Sequence, residues 1–255
     1  MKTMHTTKLT LSIIASVMLL GMTTNALSAT AAKDYALSFF QEGQGILVAD
    51  SDSLDIDDSL TIEAWVYADS AIYDAYYNFI VSKHMNGTGY ALGAFGGDEN
   101  NKHIQFENSF VLPANQWTHI AYVCGEGLDK LYINGVFVAE SIHEEAIIAN
   151  EFDLYIGHSP FGQQLNWKGL LDEVRIWNVA RTQQEIYTDM YTKPSGNKAE
   201  LVAYWDFNDG PKSTVLKDKT NNKNNGVLIN DGNISSKLPK WVLSDRPSLL
   251  NKPIK

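Results

Sequence analysis

Cysteine is almost absent from this sequence: of 255 residues only Cys124 carries a thiol, in the strand-like stretch HIAYVC. One cysteine forms no internal disulfide, so stability has to come from core burial or a bound metal. No histidine or basic residue adjoins Cys124 in sequence, and it reads as a small buried apolar residue rather than a nucleophile. Positive charge is also scarce. Twenty Lys and Arg stand against 30 Asp and Glu, a formal charge of −10, which disfavours nucleic acid and anionic lipid as partners. After Ala32 no apolar run approaches the roughly 18–20 residues that a transmembrane helix needs. Catalytic signatures are missing too. GHSPFG (157–162) lacks the G-x-S-x-G spacing, and HEEAI (143–147) lacks the second histidine of H-E-x-x-H. The six histidines are scattered, and no phosphate-binding loop is present.

What is present begins with a leader. Lys2 and Lys8 precede an apolar stretch from Leu9 to Met22, and the small-residue segment ALSATAA (26–32) follows. This pattern predicts a secretory signal peptide over residues 1–31, cleaved at about 28–31. The apolar core is too short for a membrane span, and no cysteine follows it to carry a lipid. The protein is thus expected outside the cytoplasm, extracellular or periplasmic. No Pro/Gly/Ser-rich linker divides the rest, which reads as one domain over 32–245 and a tail, RPSLLNKPIK, over 246–255.

Short segments rich in Val, Ile, Tyr, Phe and Trp recur between turn signals, among them YALSFF (35–40), LTIEAWVY (60–67), WTHIAYVC (117–124) and LVAYWDFN (201–208). Such residues suit a pleated, half-buried surface. Asn134-Gly135 between the apolar arms Leu131 and Val138 predicts a tight hairpin, because both turn residues tolerate positive φ. Thr182 followed by Glu185 makes a T-x-x-E capping box, and Ile186 and Met190 lie four apart, so a helix is expected at about 182–191. Many strands and one short helix without repeats argue for an all-β, two-sheet antiparallel sandwich.

Five stretches, in order, resemble the laminin-G-like, concanavalin-A-like jelly-roll family, especially its bacterial secreted branch. They are YALSFF with GILVADSDSLDIDDSLTIEAWVY; QWTHIAYVCGEGLDKLYINGVFVA; LYIGHS with KGLLDEVRIWNVARTQQEI; LVAYWDFNDG; and DKTNNKNNGVL. The similarity covers about residues 35 to 244. One departure stands out: many relatives continue the first strand as S-F-D-G, whereas this chain reads Ser38-Phe39-Phe40-Gln41. The resemblance implies a jelly-roll sandwich, with Ca²⁺ and carbohydrate or extracellular protein as ligands at loop rims or on the concave face. It does not select a ligand, since the fold hosts unrelated functions.

Asp172 and Glu173 are the pair of acids most suggestive of chemistry. Neighbours on a regular strand point to opposite faces, so this pair is not expected to flank one scissile bond, which needs carboxyls about 5–10 Å apart across a shared cleft. The expectation is that one of them, Asp172 among the metal candidates, anchors a loop or holds a cation, with Arg175 beside Glu173. Jelly-roll glucanases align acids as E-x-D-x-E on one strand; Glu151-Phe152-Asp153-Leu154-Tyr155 comes nearest and ends in tyrosine. Calcium prefers several flexible oxygen ligands. DKTNNKNNG (218–226) offers Asp218, Thr220, Asn222 and Asn224, and DSDSLDIDD (50–58) is dense in aspartate; both also suit plain turns. Sugar binding requires exposed rings beside amides, and the candidates are Tyr73, Tyr76, Tyr77 and Trp167, with Gln163 (beside Gln164) and Asn166. Trp65, Trp117 and Trp177 read as core. The sequence therefore points to a secreted, non-catalytic glycan- or protein-binding module, with stabilisation by calcium as the resemblance implies. A glycan-active hydrolase or lyase of this fold, or a structural adhesive protein, are the alternatives.

Overall fold

A computed structural model of the protein describes residues 33–70, 77–95, 112–142, 146–161, 166–231 and 237–248. In chain order the strands are β1 (Tyr35–Phe39), β2 (Gln44–Val48), β3 (Leu60–Ala68), β4 (Tyr77–Met85), β5 (Thr88–Phe95), β6 (Trp117–Gly125) and β7 (Leu128–Ile133). They continue with β8 (Val136–Ile142), β9 (Leu154–Ile156), β10 (Gly169–Trp177), the helix α1 (Gln183–Asp189), β11 (Leu201–Trp205), β12 (Val215–Leu216), β13 (Gly226–Asn230) and β14 (Lys240–Leu243). The larger sheet runs β14-β1-β10-β3-β6-β7-β8, with β11 also paired to β10; the smaller runs β12-β13-β2-β9-β4-β5. Every pairing between these strands is antiparallel, so the described residues form the two-sheet jelly-roll sandwich expected from the sequence.

Period-two alternation explains the core. On β3, Leu60, Ile62, Ala64, Val66 and Ala68 point between the sheets, where they meet Ile46, Val48, Val81, Leu154 and Ile156 of the smaller sheet. The other face of β3 carries Thr61, Glu63 and Trp65, and these are buried as well. The cover on that side is α1 and the chain around it: Ile186 packs on Ala121, Val123 and Tyr132. The Trp65 indole N–H donates to Met190 O at 2.8 Å. Trp65 and Trp177 are therefore buried under the helix side rather than between the sheets, and Trp117 is half-buried, donating to Asp245.

The local signals act as expected. Thr182 caps α1, accepting from the Glu185 amide while the Glu185 carboxylate accepts from the Thr182 amide, a complete capping box. The Asn134-Gly135 turn joins β7 to β8 with φ of 50° and 72°. Its Asn134 side chain accepts from the His119 amide at 2.9 Å, while Asn134 N donates to His119 O at 2.8 Å. The W-x-H and Y-I-N-G segments thus bind one another directly. Gly135 has a second constraint: a Cβ there would lie 2.9 Å from Tyr187 Cα.

Gly135→Ala combines positive φ with that steric contact, and it should destabilise the protein by about 1–3 kcal/mol. Urea denaturation reads the shift; an unchanged midpoint would show that hairpin and helix do not meet tightly at this glycine.

Candidate functional site

The acids of LLDEVRIWN sit at a β-bulge. The β3–β10 register shifts between Asp172 and Arg175, and Glu173 takes φ of 53°. One extra residue turns both carboxylates to the helix-covered face, against the expectation that neighbours point apart. Both are buried and share one guanidinium: Arg246 Nε donates to Asp172 Oδ2 at 2.7 Å and Arg246 Nη2 to Glu173 Oε1 at 2.8 Å. Ser244 Oγ donates to Asp172, and Arg175 and Tyr204 OH donate to Glu173 Oε2 at 2.7 and 2.8 Å. Asp34 and Lys193 complete the cluster, so three carboxylates face three cations. Arg246 was expected in the C-terminal tail; in the fold it is only 6% exposed. Burial pushes the Asp172 carboxyl well above the usual range, with Arg246 pulling the other way.

A second network lies beside it. Arg181 Nη1 donates to the fully buried Glu63 at 2.9 Å, Arg181 Nη2 to Asp189 at 2.6 Å, and the guanidinium sits 4.0 Å over the Trp177 ring. His119 Nε2 lies 3.4 Å from Glu63. Burial lowers the His119 pKa, so the imidazole is neutral near pH 7. Burial alone would raise Glu63, but the His119 contact and the charges of Arg175 and Arg181 outweigh it and hold the group at about 2 against the ordinary 4.5. Every carboxylate of both networks except Asp34 and Asp189 is buried beyond reach of a substrate, and each is engaged by an arginine.

The calcium candidates are engaged by protein donors. Asp218 Oδ1 accepts from Tyr204 N and Thr220 N, and its Oδ2 accepts from Thr220 Oγ1 and Asn224 N, at 2.7–3.0 Å. Asn222 and Asn224 amides donate to Val202 O, and Asn224 Oδ1 accepts from Ser51 and Ser53. A carboxylate with four N–H and O–H donors has no lone pairs left for a cation that wants 6–8 oxygens. Asp218, Thr220, Asn222 and Asn224 thus form a turn clamp held by protein donors, where the sequence suggested metal ligands. Asp172 likewise has Arg246 where a cation would sit. In the aspartate-rich stretch an ammonium occupies the equivalent place: buried Lys83 reaches Asp50, Asp55 at 3.2 Å, and the carbonyls of Asn150 and Phe152 at 2.8 Å. Among the described residues no group of three His, Cys, Asp or Glu could hold a metal ion. At the departed S-F-F-Q turn, the Gln44 amide carries the load: its oxygen accepts from Phe40 N and Gln41 N, and its nitrogen donates to Lys237 O and Leu238 O.

Among the sugar-binding candidates, Trp167 is fully buried in the core, donating to Leu170 O at 3.2 Å. A ring that stacks on a pyranose must be accessible, so this assignment is corrected. Asn166 is 1% exposed; its amide nitrogen donates to Gln41 O and Trp167 O while its oxygen has no partner. Tyr73, Tyr76 and Gln163 lie outside the described residues, as does the Tyr77 side chain. The backbone does bring their flanks together, because Asn166 bridges to Phe79 of β4, two residues after Tyr77.

Another set of rings was missed. Cross-strand partners share a face, so Leu47, Tyr155, Ser82, Ala91 and Val227 form the outer face of the smaller sheet. A loop leaves β9 after Ile156 and returns at Trp167, whose N–H donates to Gly157 O at 2.9 Å. Its His158 lies over Gly45, where a Cβ would come within 2.4 Å of the His158 Cβ. Tyr155 and His158 pack edge-on at 5.7 Å between ring centres, and His84 and Phe161 lie 6.0 Å apart. Phe161 is 49% exposed. Beneath the rings, Ser82 Oγ and His158 Nδ1 are buried without hydrogen-bond partners. Burial lowers the His158 pKa, partly opposed by Asp231, leaving a neutral imidazole. The only sequence signal was the exposed phenylalanine in GHSPFG, which periodicity could not place.

The family model described as the concanavalin A-like lectin/glucanases superfamily, of laminin-G type, matches residues 40–187. Pappalysin-1 of Mus musculus is 36% identical over 83 residues, covering 31% of this chain and 5% of that protein; human Pappalysin-1 is 34% identical over 82 residues, covering 30% and 5%. The chain thus spans about a twentieth of these relatives. A protein from Bacteroides ovatus ATCC 8483, described as a candidate carbohydrate binder, superposes with a TM-score of 0.60 at 21% identity, over 86% of this chain and 62% of that one.

Two outcomes test the buried charges. Glu63 is depressed in the fold, so its contribution is complete above pH 4.5 and is lost as pH falls toward 2; it amounts to about 3 kcal/mol. Glu63→Gln should unfold more easily than wild type at pH 7, with the gap narrowing in acid; a gap constant with pH would refute the assignment. Lys83→Met strands Asp50 and Asp55 and should cost about 3–5 kcal/mol in chemical denaturation.

Proposed function

Since the chain belongs to the concanavalin A-like lectin/glucanase superfamily, we propose that it is a secreted, non-catalytic module that binds carbohydrate on the outer face of its smaller sheet. The observation that carries this reading is the pair of ring contacts there, Tyr155 with His158 and His84 with Phe161, of which Phe161 is half exposed. An aromatic edge beside neutral hydrogen-bonding groups suits the C–H face and hydroxyls of a sugar. The non-catalytic part rests on the same face: a strand presenting E-x-D-x-E would need carboxylates at alternate outward positions, and Ser82 and His84 of β4 and Val227 and Ile229 of β13 are not acids. Asp153, from the nearest such match, instead accepts from Asp50 N at 3.0 Å. Secretion is supported by the basic, apolar and small-residue order of the first 32 residues, and no helix among the described residues is long and apolar enough to cross a membrane.

An adhesive or protein-binding role is the second reading. It is favoured by β8, the terminal strand of the larger sheet among the described residues, which exposes Val136, Phe137 and Ile142.

A glycan array probed with the mature chain, in Ca²⁺ and in EDTA, separates the two. Binding is expected, weakened about tenfold (roughly 1.4 kcal/mol) by Phe161→Ala or Tyr155→Ala, with little change in melting temperature for the exposed Phe161. Absence of glycan binding together with concentration-dependent oligomers in light scattering favours the adhesive reading. Release of oligosaccharides from a bound polysaccharide overturns the non-catalytic one.

A further inference from the structure

We infer that the carbohydrate taken by this face is an uncharged polysaccharide, one of neutral hexose or pentose units, rather than a uronate, sulfated or sialylated chain; the inference rests on the carbohydrate-binding reading above. Its basis is the chemistry of the outer face of the smaller sheet. The described positions there are Leu47, Val227, Tyr155, Ser82 and His84, roofed by the loop residues His158 and Phe161. No lysine or arginine is among them. Lys83, the cation carried by the described parts of these six strands, points into the sandwich: its register partner Tyr90 is a core residue, and its ammonium is engaged by Asp50, Asp55, Asn150 O and Phe152 O. The ionisable groups that do act on this face are acidic, with Asp231 felt at His158 and Asp153 at Tyr155.

A carboxylate or sulfate brought here would lose part of its hydration and meet no counter-charge among the described residues, which is costly in a half-buried setting. The formal charge of −10 adds repulsion at a distance. A neutral chain meets none of this. Its hydroxyls both donate and accept, and they need no counter-charge from the part-exposed Tyr155 and His84 beside them. Its ring C–H groups match the exposed Phe161 edge.

The test is affinity electrophoresis and calorimetry of the mature chain against matched pairs: glucan, mannan, xylan and arabinan on one side, polygalacturonate, heparin and polysialate on the other. At least one neutral polymer should bind about tenfold or more tighter than every anionic one, with affinity nearly constant between low and high salt, since no ion pair is screened. Phe161→Ala should weaken that binding. Val227→Lys, which puts a cation on this face, should raise anionic binding. Tightest binding to an anionic polymer, lost in salt yet still dependent on Phe161, overturns the inference while the carbohydrate reading stands. Binding to neither class overturns both.

Discussion

Arg246 is the residue on which the buried charge of this sandwich depends. It comes from the chain beyond the last strand and closes on two adjacent carboxylates at the centre of the larger sheet. Without it, Asp172 and Glu173 would be two like charges about one residue apart, both stripped of water. With it, and with Arg175, Ser244 and Tyr204, the bulge on β10 becomes a junction that joins the sheet, the segment after α1 and the C-terminal strand. A buried ion pair of this kind adds little net stability relative to apolar packing. What it does is make the arrangement specific, because any other seating of the C-terminal segment leaves a naked charge.

The same logic runs through the rest of the molecule. Glu63 with Arg181, and Lys83 with Asp50 and Asp55, repeat it on the helix side and at the sandwich rim. Asp218 does the equivalent with backbone amides. Together they explain why polar letters recur in stretches that also supply the core. The D-E-V-R-I-W-N-x-A-R string alternates between two buried environments, Val174 and Ile176 facing the other sheet, Arg175 and Trp177 facing the helix. A chain without disulfides is pinned at its loops by satisfied charges instead. These acids are thereby unavailable for catalysis or for metal, and the acids that looked most like chemistry are the ones most firmly committed to architecture.

The proposed binding face belongs to the other sheet. Its described outward positions are small, apolar or neutral, with His158 over Gly45, Phe161 near His84, and Trp167 N donating to Gly157 O. The rings stand on strand β9, on strand β4 and at His158 and Phe161 just beyond β9, a sheet carrying recognition residues on the segment that leaves it.

The sequence by itself determined the elements. Runs of β-branched and aromatic residues marked β3 and β6, the Asn134-Gly135 pair marked the hairpin, and Thr182 with Glu185 marked the helix, because each depends on residues within a few positions of one another. The jelly-roll sandwich was legible from the order of those pieces. Only the tertiary structure decided the roles of the polar and aromatic side chains. Whether Trp167 is a platform or a core residue depends on what covers it. Asp218 needed its four donors located before its job was visible. The direction of Glu173 depends on a one-residue bulge, and the meaning of Arg246 on a carboxylate 74 positions away in the chain. Local periodicity fixes backbone hydrogen bonding, which is short in range; burial and charge pairing are properties of surfaces that meet only after folding.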